Sequence, residues 1–271
     1  MLNDPWIAAL VALFLWWFAT GAILVVVKLA DRRGPSCAQA VTWLALPLLL
    51  VGAWGVWVSA EARTPGAVYH AFLSALALWG WIELAFLTGV VTGPNRHPCR
   101  DGIPGWERFI RAWGTIAYHE MLLVAVLIGL ALVLWEAANP YAGLTFGVLF
   151  VARVSAKLNL FLGVPKINTE FLPGALAHLP SHFRVRRGNL LFPLSIVGLT
   201  GLTVFWVGGI AAAPDLAGRI GHALLAAMTA LALLEHWFMV LRLPDEKLWR
   251  WMLPAPQPKI KKTTTEDAHG L

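Results

Sequence analysis

Apolar residues in this chain gather into long runs, and short polar stretches separate the runs. A helix needs about 20 apolar residues to cross the hydrocarbon core of a membrane, and each run reaches that length. The predicted spans are 5–29, 38–60, 67–91, 114–135, 144–164, 189–212 and 219–243. The pattern therefore predicts an all-α, polytopic membrane protein with a bundle of about seven transmembrane helices, followed by a tail over 244–271.

Two stretches depart from a simple straight span. Pro47 lies inside the second span and predicts a kink there, because proline lacks the backbone N–H and clashes with the preceding turn. Residues 105–113 are predicted to form a short interfacial helix that leads into the fourth span. Both features change how a span enters the bundle, and neither changes the number of spans.

Basic residues predict the orientation of the bundle. The connections after the first, third, fifth and seventh spans hold nearly all Lys and Arg, whereas the other connections hold only Arg63 and Arg219. Cytoplasmic connections of membrane proteins carry an excess of Lys and Arg. The chain is therefore predicted to begin in the periplasm and to end with its tail in the cytoplasm.

Composition narrows the class of function. Apolar residues make up 58% of the chain, charged residues make up 13%, and the net charge is +6. Because the bases stand in clusters between spans, this charge indicates membrane topology and contact with lipids, and it predicts no nucleic-acid partner. Cys37 and Cys99 lie in predicted cytoplasmic connections, where thiols stay reduced. The sequence contains no metal-binding or catalytic motif, which predicts a protein that is not an enzyme.

Ionisable residues inside the spans are the strongest hint of a site. Each such group costs at least about 2.5–3.5 kcal/mol at membrane depth and needs a partner or water. The acids are Glu83, Glu120 and Glu235, and the bases are Arg153 and Lys157. The predicted topology puts all five in the middle or cytoplasmic half of their spans, so opposite charges can meet.

The fifth span is polar on two faces, which predicts a central place in the bundle. Arg153 and Lys157 are four residues apart and share one face, while Ser155 and Asn159 lie on nearly the opposite face. Three interpretations stay open: an ion-pair network that fixes helix register, a site for a ligand, pigment or substrate, and an ion path. The predicted polar cluster or ligand site comprises Glu83, His119, Glu120, Arg153, Lys157, Asn159, Glu235 and His236.

The two histidines of this cluster have two interpretations each. His119 and His236 neighbour an acid in sequence, but adjacent helix residues point about 100° apart, so neither pair forms a dyad. A buried neutral histidine can ligate the central metal of a tetrapyrrole, or it can donate one hydrogen bond to another helix. The sequence leaves both interpretations open.

The connection between the fifth and sixth spans, residues 165–188, is unusually long and apolar. Pro165, Pro173 and Pro180 prevent a single helix. Its composition predicts an interfacial segment at the cytoplasmic leaflet, acting as a lipid anchor or as a docking surface for another membrane protein. The predicted docking residues are Asn168, Glu170, Phe171, His178, His182 and Arg184. Because Pro180 separates His178 from His182, a two-histidine metal site is not predicted.

Longer runs in the chain resemble a known family. The run Ser155–Pro173, SAKLNLFLGVPKINTEFLP, together with SHFR at 181–184 and NLLFP at 189–193, is similar to the PuhE-type photosynthetic complex assembly proteins of purple phototrophic bacteria. The upstream motifs TGPNRHPC, GWERF and YHE add to the resemblance, which extends over nearly the whole chain. Lys166 and His182 depart from the family pattern, since a small or amide residue and an aromatic residue are expected there.

The resemblance implies a function that the residues alone do not. It implies an assembly factor for the reaction centre and core antenna complex, located in the bacterial inner (intracytoplasmic) membrane and encoded beside the reaction-centre H subunit. The implied partners are reaction-centre and core-antenna subunits, and the resemblance also implies a link to bacteriochlorophyll supply. The leading hypothesis is that the protein holds bacteriochlorophyll or a precursor, or a nascent subunit, against the fourth, fifth and seventh spans. Alternatives are a permanent subunit of that complex, a transporter of tetrapyrroles or ions, and a membrane enzyme of pigment synthesis. The family offers no established catalytic residues to transfer.

Overall fold

The computed structural model describes residues 3–167, 169 and 172–241 of the chain. Within these ranges all helices and turns form one all-α architecture, and seven stretches are long and apolar enough to cross a membrane, which confirms the predicted fold class. The helices are α1 (Pro5–Arg33), α2 (Pro35–Leu44), α3 (Leu46–Ala60), α4 (Pro65–Leu87), α5 (Gly105–Val133), α6 (Tyr141–Leu162), α7 (Leu191–Ala212) and α8 (Leu216–Phe238). The predicted tail, 244–271, lies outside the described residues.

Local sequence fixes several helix starts. The Asp4 side chain accepts hydrogen bonds from the N–H groups of Trp6 and Ile7 at the start of α1. Thr64 caps α4 and Asp215 caps α8 in the same way. These side chains satisfy N–H groups that have no partner inside the helix. Helix boundaries are therefore encoded by residues next to them in the chain.

The second span is broken, as Pro47 predicted. α2 ends at Leu44 and α3 begins at Leu46, so Pro47 falls in the first turn of α3. That position suits proline because the N–H of a first-turn residue has no intrahelical acceptor. The predicted interfacial helix over 105–113 differs from the structure, because α5 runs without interruption from Gly105 to Val133.

The helices α4 and α8 form the centre of the bundle. Two thirds of the residues in the most apolar window of each are buried, against 28% or less for the other spans. Close approach to α4 depends on Gly55 of α3, where an added Cβ would collide with the Ser74 hydroxyl. On α8, a Cβ at Gly221 would collide with the Tyr141 ring. Small residues therefore set the distances between these helices.

The prediction that the fifth span is central is corrected by this arrangement. α6 packs against α4, α5, α7 and α8, but its outer residues Val151 and Leu158 stay exposed. Its two polar faces turn towards neighbouring helices, and that alone keeps them away from lipid. A helix with two polar faces needs neighbouring helices on those two sides. Its remaining surface can still face the lipid.

The connection after α6 folds against the helices. It contains two 3₁₀ turns, Gly174–Leu176 and Leu179–His182, which the prolines favour over a longer helix. Leu176 and Leu179 are buried against Phe86 near the end of α4, and Leu172 packs beside them. The prediction that the apolar side of the connection enters lipid is therefore corrected, because its leucines contact protein.

Candidate functional site

Two ion pairs join α6 to its neighbours. Arg153 Nη2 donates to Glu83 Oε2 of α4 at 2.7 Å, and Lys157 Nζ donates to Glu120 Oε1 of α5. Each base of the shared face thus has its own acid, which relieves the repulsion between the two bases. Glu83, Glu120 and Lys157 are largely buried, whereas the Arg153 side chain is about one third exposed.

Phe86 lies at the centre of these charges. Its ring centroid is 5.3 Å from Lys157 Nζ and 5.8 Å from Arg153 Cζ, within the range of cation–π attraction. The His119 ring packs on it with centroids 4.4 Å apart. No sequence pattern pointed to Phe86, because one phenylalanine in an apolar run is not distinguishable from its neighbours.

This charged network is incompletely paired. Glu83 Oε1, Arg153 Nε and both ring nitrogens of His119 are buried and make no hydrogen bond among the described residues. His119 Nε2 lies 3.8 Å from Glu83 Oε1, too far for a hydrogen bond. Buried polar atoms are nearly always paired in folded proteins. Of the two interpretations left open for His119, the hydrogen bond to another helix is not present within the described residues, and the network keeps capacity for a further polar group.

The opposite face of α6 carries a separate, neutral network. Ser155 Oγ lies 2.8 Å from His236 Nε2 and donates to Ser195 Oγ at 2.9 Å. Asn159 Nδ2 donates to Ser195 Oγ at 3.0 Å, and Asn189 Nδ2 donates to Asn159 Oδ1 at 3.1 Å. In the part of the chain that the structure describes, none of these side-chain atoms is buried without a partner. The residues predicted as one cluster therefore form two, and Asn159 and His236 belong to the neutral one.

A cavity of about 650 Å³ opens beside the charged network. Helices α1, α5, α6 and α8 line it, together with the end of α4 and the connection after α6. Its walls are mostly apolar and aromatic, and Trp16 and Trp17 come from α1. Arg153, Lys157 and Glu120 place both ion pairs on its surface. This combination of an apolar lining with a few convergent polar groups is typical of small-molecule sites.

Glu235 stands on the cavity wall apart from the two ion pairs. Its side chain is exposed to the cavity and makes no hydrogen bond or ion pair with the described residues. The depth of Glu235 in its span predicts that it could be a third acid partner for Arg153 and Lys157. The structure leaves Glu83 and Glu120 as the partners, so Glu235 is an acid on the wall without a direct partner among the described residues.

The connection brings two buried histidines close to this cavity. His182 is one of the lining residues, and its Nε2 lies 3.2 Å from the carbonyl oxygen of His97. Burial lowers the pKa of His178 and of His182, and nearby cationic side chains lower both further. The hydrogen bond that the His182 ring donates to the backbone carbonyl of His97 opposes this shift of the His182 pKa. Both rings are thus neutral near pH 7.

The docking prediction for the connection is corrected at these two positions. His178 and His182 are buried inside the protein and present no surface to a partner. Arg184 is half-buried, and its N–H donates to Leu160 O at 3.1 Å. Asn168, Glu170 and Phe171 lie outside the described residues, so their docking role stays a prediction.

Arg108 is a residue that sequence reasoning used only for topology. It is buried, its Nη1 donates to Phe161 O at 3.2 Å, and its Nη2 donates to His182 O. Its guanidinium also lies 4.2 Å from the Phe161 ring centroid. Arg108 therefore fastens the connection to α5 and α6 beside the cavity. The only signal for it was its place in the GWERF motif.

Comparison with known proteins identifies the family. The model of a family described as "Protein of unknown function (DUF3623)" matches residues 2–260. The chain belongs to the DUF3623 family. A protein of Rhodobacter capsulatus described as "Uncharacterized 30.4 kDa protein in puhA 5'region" is 52% identical over 269 residues, which cover 99% of this chain and 98% of that protein. No solved structure matches this DUF3623 chain.

Proposed function

We propose that this DUF3623 protein is an integral membrane factor for assembly of the bacterial photosynthetic reaction centre and core antenna complex. Its role in that process is to hold bacteriochlorophyll or a precursor in the cavity. The puhA 5' region named for the Rhodobacter capsulatus relative supports a photosynthetic role. The resemblance of Ser155–Pro173 to the PuhE-type family supports the finer assignment to assembly.

The cavity is the observation that carries the pigment-binding part of the proposal. Its volume of about 650 Å³ falls in the range of small-molecule sites, roughly 300–1,000 Å³. Aromatic side chains such as Trp17 and Phe86 offer flat apolar contacts to a planar macrocycle. The cavity lies within the membrane-spanning helices, where an apolar pigment resides.

The polar atoms of the cavity fit the edge of such a macrocycle. Arg153 Nε is without a hydrogen-bond partner among the described residues and can donate to a carbonyl or carboxyl group. Lys157 places a second cation on the same wall. A bound bacteriochlorin would supply light absorption and a central metal. The residues would bind and orient this group, and no chemical step is assigned to them.

The charged network supports a binding role over a purely structural one. An ion-pair network whose only task is to fix helix register would gain from having every buried atom paired. The neutral network on the other face of α6 meets that condition, whereas Glu83 Oε1 and His119 do not. The charged network also borders open volume, where a ligand can reach it.

The most direct test is purification of the protein from phototrophically grown cells in a mild detergent. The absorbance spectrum should show bacteriochlorophyll or a precursor, and reaction-centre or core-antenna chains should co-purify at less than equimolar amounts. Equimolar amounts would favour the permanent subunit instead. Absence of both pigment and photosynthetic chains would contradict the proposal.

A double variant tests whether the charged wall of the cavity takes part in the proposed function. Glu120→Leu/Lys157→Leu removes both charges together, which leaves no unpaired buried charge and preserves folding. We expect membrane absorbance of reaction centre and antenna to fall while the variant accumulates normally. The control is Arg63→Leu/Asp215→Asn, which removes an ion pair at the start of α8 that does not line the cavity and keeps a side-chain oxygen to cap that helix. Unchanged absorbance in the first variant would contradict pigment binding at this site.

A further inference from the structure

The last part of the connection is fixed to the end of α6 by backbone hydrogen bonds. Val164 N donates to Arg184 O and Arg186 N donates to Val164 O, each at 3.1 Å. Val164 and Val185 thereby form a parallel bridge. Because successive side chains of an extended segment point to opposite sides, Arg184 and Arg186 share one side and Val185 takes the other. The side chains of residues 184–187 are therefore presented from a fixed backbone.

Three arginines of this segment form a positive cluster, which we call the arginine cluster: Arg184, Arg186 and Arg187. The ion pairs and side-chain hydrogen bonds among the described residues involve none of these side chains. Arg186 and Arg187 are exposed, and Arg184 is half-buried. The positive charges of Arg184 and Arg186 also act on the buried Arg108 of α5. Like charges held close together without an acid among the described residues favour an anion beside them.

Gly163 helps to hold the Arg186 side chain in place. The φ angle of Gly163 is +120°, which other residues rarely adopt, and a Cβ there would lie 2.8 Å from Arg186 Cγ and Cδ. The aliphatic part of Arg186 therefore packs on the end of α6. A side chain that is already positioned loses less conformational entropy when it binds a ligand.

Exposed apolar side chains flank the arginine cluster. Val185 is 74% exposed, and Leu190 at the start of α7 is 94% exposed. The cluster lies between two membrane-spanning helices, because α6 ends at Leu162 and α7 begins at Leu191. Arginines next to exposed apolar side chains at the end of a span are typical of a contact with lipid headgroups and acyl chains. The apolar side chains favour a lipid over a soluble acidic protein, since acyl chains can cover them.

We propose that the arginine cluster binds the phosphate of an anionic phospholipid in the cytoplasmic leaflet, with Val185 and Leu190 against the acyl chains. The guanidinium groups donate charge-assisted hydrogen bonds to the phosphate oxygens. The fixed backbone of residues 184–187 makes this a defined site for one lipid. The inference is independent of pigment binding, because the arginine cluster does not line the cavity.

Arg32 and Arg33 provide a matched control. They are also two adjacent exposed arginines at the end of a span, on the side of α1 predicted to face the cytoplasm. Asp31 and the negative end of the α1 dipole offset their charge, whereas the arginine cluster has no acid beside it in the chain. A general attraction between bases and anionic lipids would weaken alike when either pair is removed. A defined site would be lost only at Arg186 and Arg187.

The test is native mass spectrometry of the purified full-length protein in a neutral detergent, titrated with phosphatidylglycerol and with phosphatidylcholine of the same acyl chains. We expect the first phosphatidylglycerol to bind the wild type at least about fivefold more tightly than the first phosphatidylcholine. Arg186→Gln/Arg187→Gln should lose this preference, while Arg32→Gln/Arg33→Gln should keep it. Val185→Ser/Leu190→Ser should weaken the binding of both lipids and keep the preference.

Three outcomes would overturn the proposal. Equal affinity of the wild type for both lipids would show that the arginine cluster binds no lipid phosphate, which favours an acidic protein partner instead. An equal loss in both arginine variants would show a general attraction to charged lipids. Displacement of phosphatidylglycerol by an equal concentration of inorganic phosphate would show a phosphate site that needs no lipid.

Melting temperatures in the same detergent identify a variant that fails to fold. If Arg186→Gln/Arg187→Gln fails in this way, Arg187→Gln alone serves, because its side chain is exposed and has no partner among the described residues. It should lower the preference for phosphatidylglycerol by about fivefold. An unchanged preference in this variant would contradict the part of Arg187 in the site.

Discussion

The two polar faces of α6 differ in how completely their atoms are paired. On the neutral face, Ser155 and Asn159 join hydrogen bonds in which no buried side-chain atom of the described residues lacks a partner. On the charged face, Arg153 and Lys157 meet acids, but Arg153 on the wall of the cavity of about 650 Å³ keeps Nε unpaired among the described residues. Buried atoms of Glu83 and His119, which do not line the cavity, are unpaired as well. A paired network holds helices together, whereas a partly paired network beside open volume can bind. The difference supports the proposal that the charged face holds a binding site and the neutral face holds helices together.

The largest expected effect comes from breaking one ion pair of the charged face. Lys157→Leu would leave Glu120, which is 5% exposed, without its cation. Breaking a buried pair in this way costs about 3–5 kcal/mol of the free energy of unfolding. Denaturant unfolding in detergent measures it, and Glu120→Leu/Lys157→Leu should recover most of the loss. A single variant as stable as the wild type would show that the pair contributes nothing.

A smaller loss is expected on the neutral face. Asn159→Leu removes one hydrogen bond each from Ser195 and Asn189, and these keep their bonds to Ser155 and to Gly163 O, so each lost bond costs about 0.5–1.5 kcal/mol. Chlorin binding below the melting temperature should not change, because this network does not border the cavity. Thr203→Val is the control, since among the described residues the Thr203 hydroxyl donates only to Leu199 O of its own helix. Weakened chlorin binding in a folded Asn159→Leu variant would contradict the claim that the neutral face takes no part in binding.

The connection beside the cavity adds a dependence on pH. The pKa values of His178 and His182 lie below 6.5 in the folded protein, so the unfolded chain takes up protons first as the pH falls. The contribution of the two neutral histidines to the free energy of unfolding is fully present above pH 6.5. It decreases below that pH, by at most about 1.4 kcal/mol per histidine at pH 5.5. Melting temperatures at pH 7.5 and 5.5 measure it. His178→Gln/His182→Gln should flatten this part of the profile, and an unchanged slope would contradict the assignment.

The smallest loss of stability is expected at Glu235. Glu235→Gln should not lower the free energy of unfolding, because the carboxylate has no direct partner among the described residues and a charge at membrane depth is costly. Removing its charge should strengthen binding of a chlorin with a free carboxylate by a few-fold and leave its ester unaffected. Glu136→Gln, outside this cavity, should change neither affinity. Equal gains for acid and ester would contradict a charge effect.

Much of the charged network could be predicted from the sequence alone, because the sequence gives the depth of each charged residue in the membrane. A span of known direction gives each residue a height in the membrane, so Glu83 and Glu120 could be matched with Arg153 and Lys157 by height. Height does not give rotation about the helix axis or the order of helices around the bundle. Glu235 therefore looked equivalent to the other acids, and His236 looked like part of the charged group.

The sequence by itself determined the seven spans, the break at Pro47 and the residue types present at each depth. These depend on local quantities, because a chain in lipid must satisfy its own backbone hydrogen bonds within each helix. Only the tertiary structure decided which acid meets which base, where the cavity opens and that His182 borders it. Those outcomes depend on how far each helix can approach and rotate. Contacts between residues distant in the chain, such as Gly55 with Ser74 and Gly221 with Tyr141, set that approach.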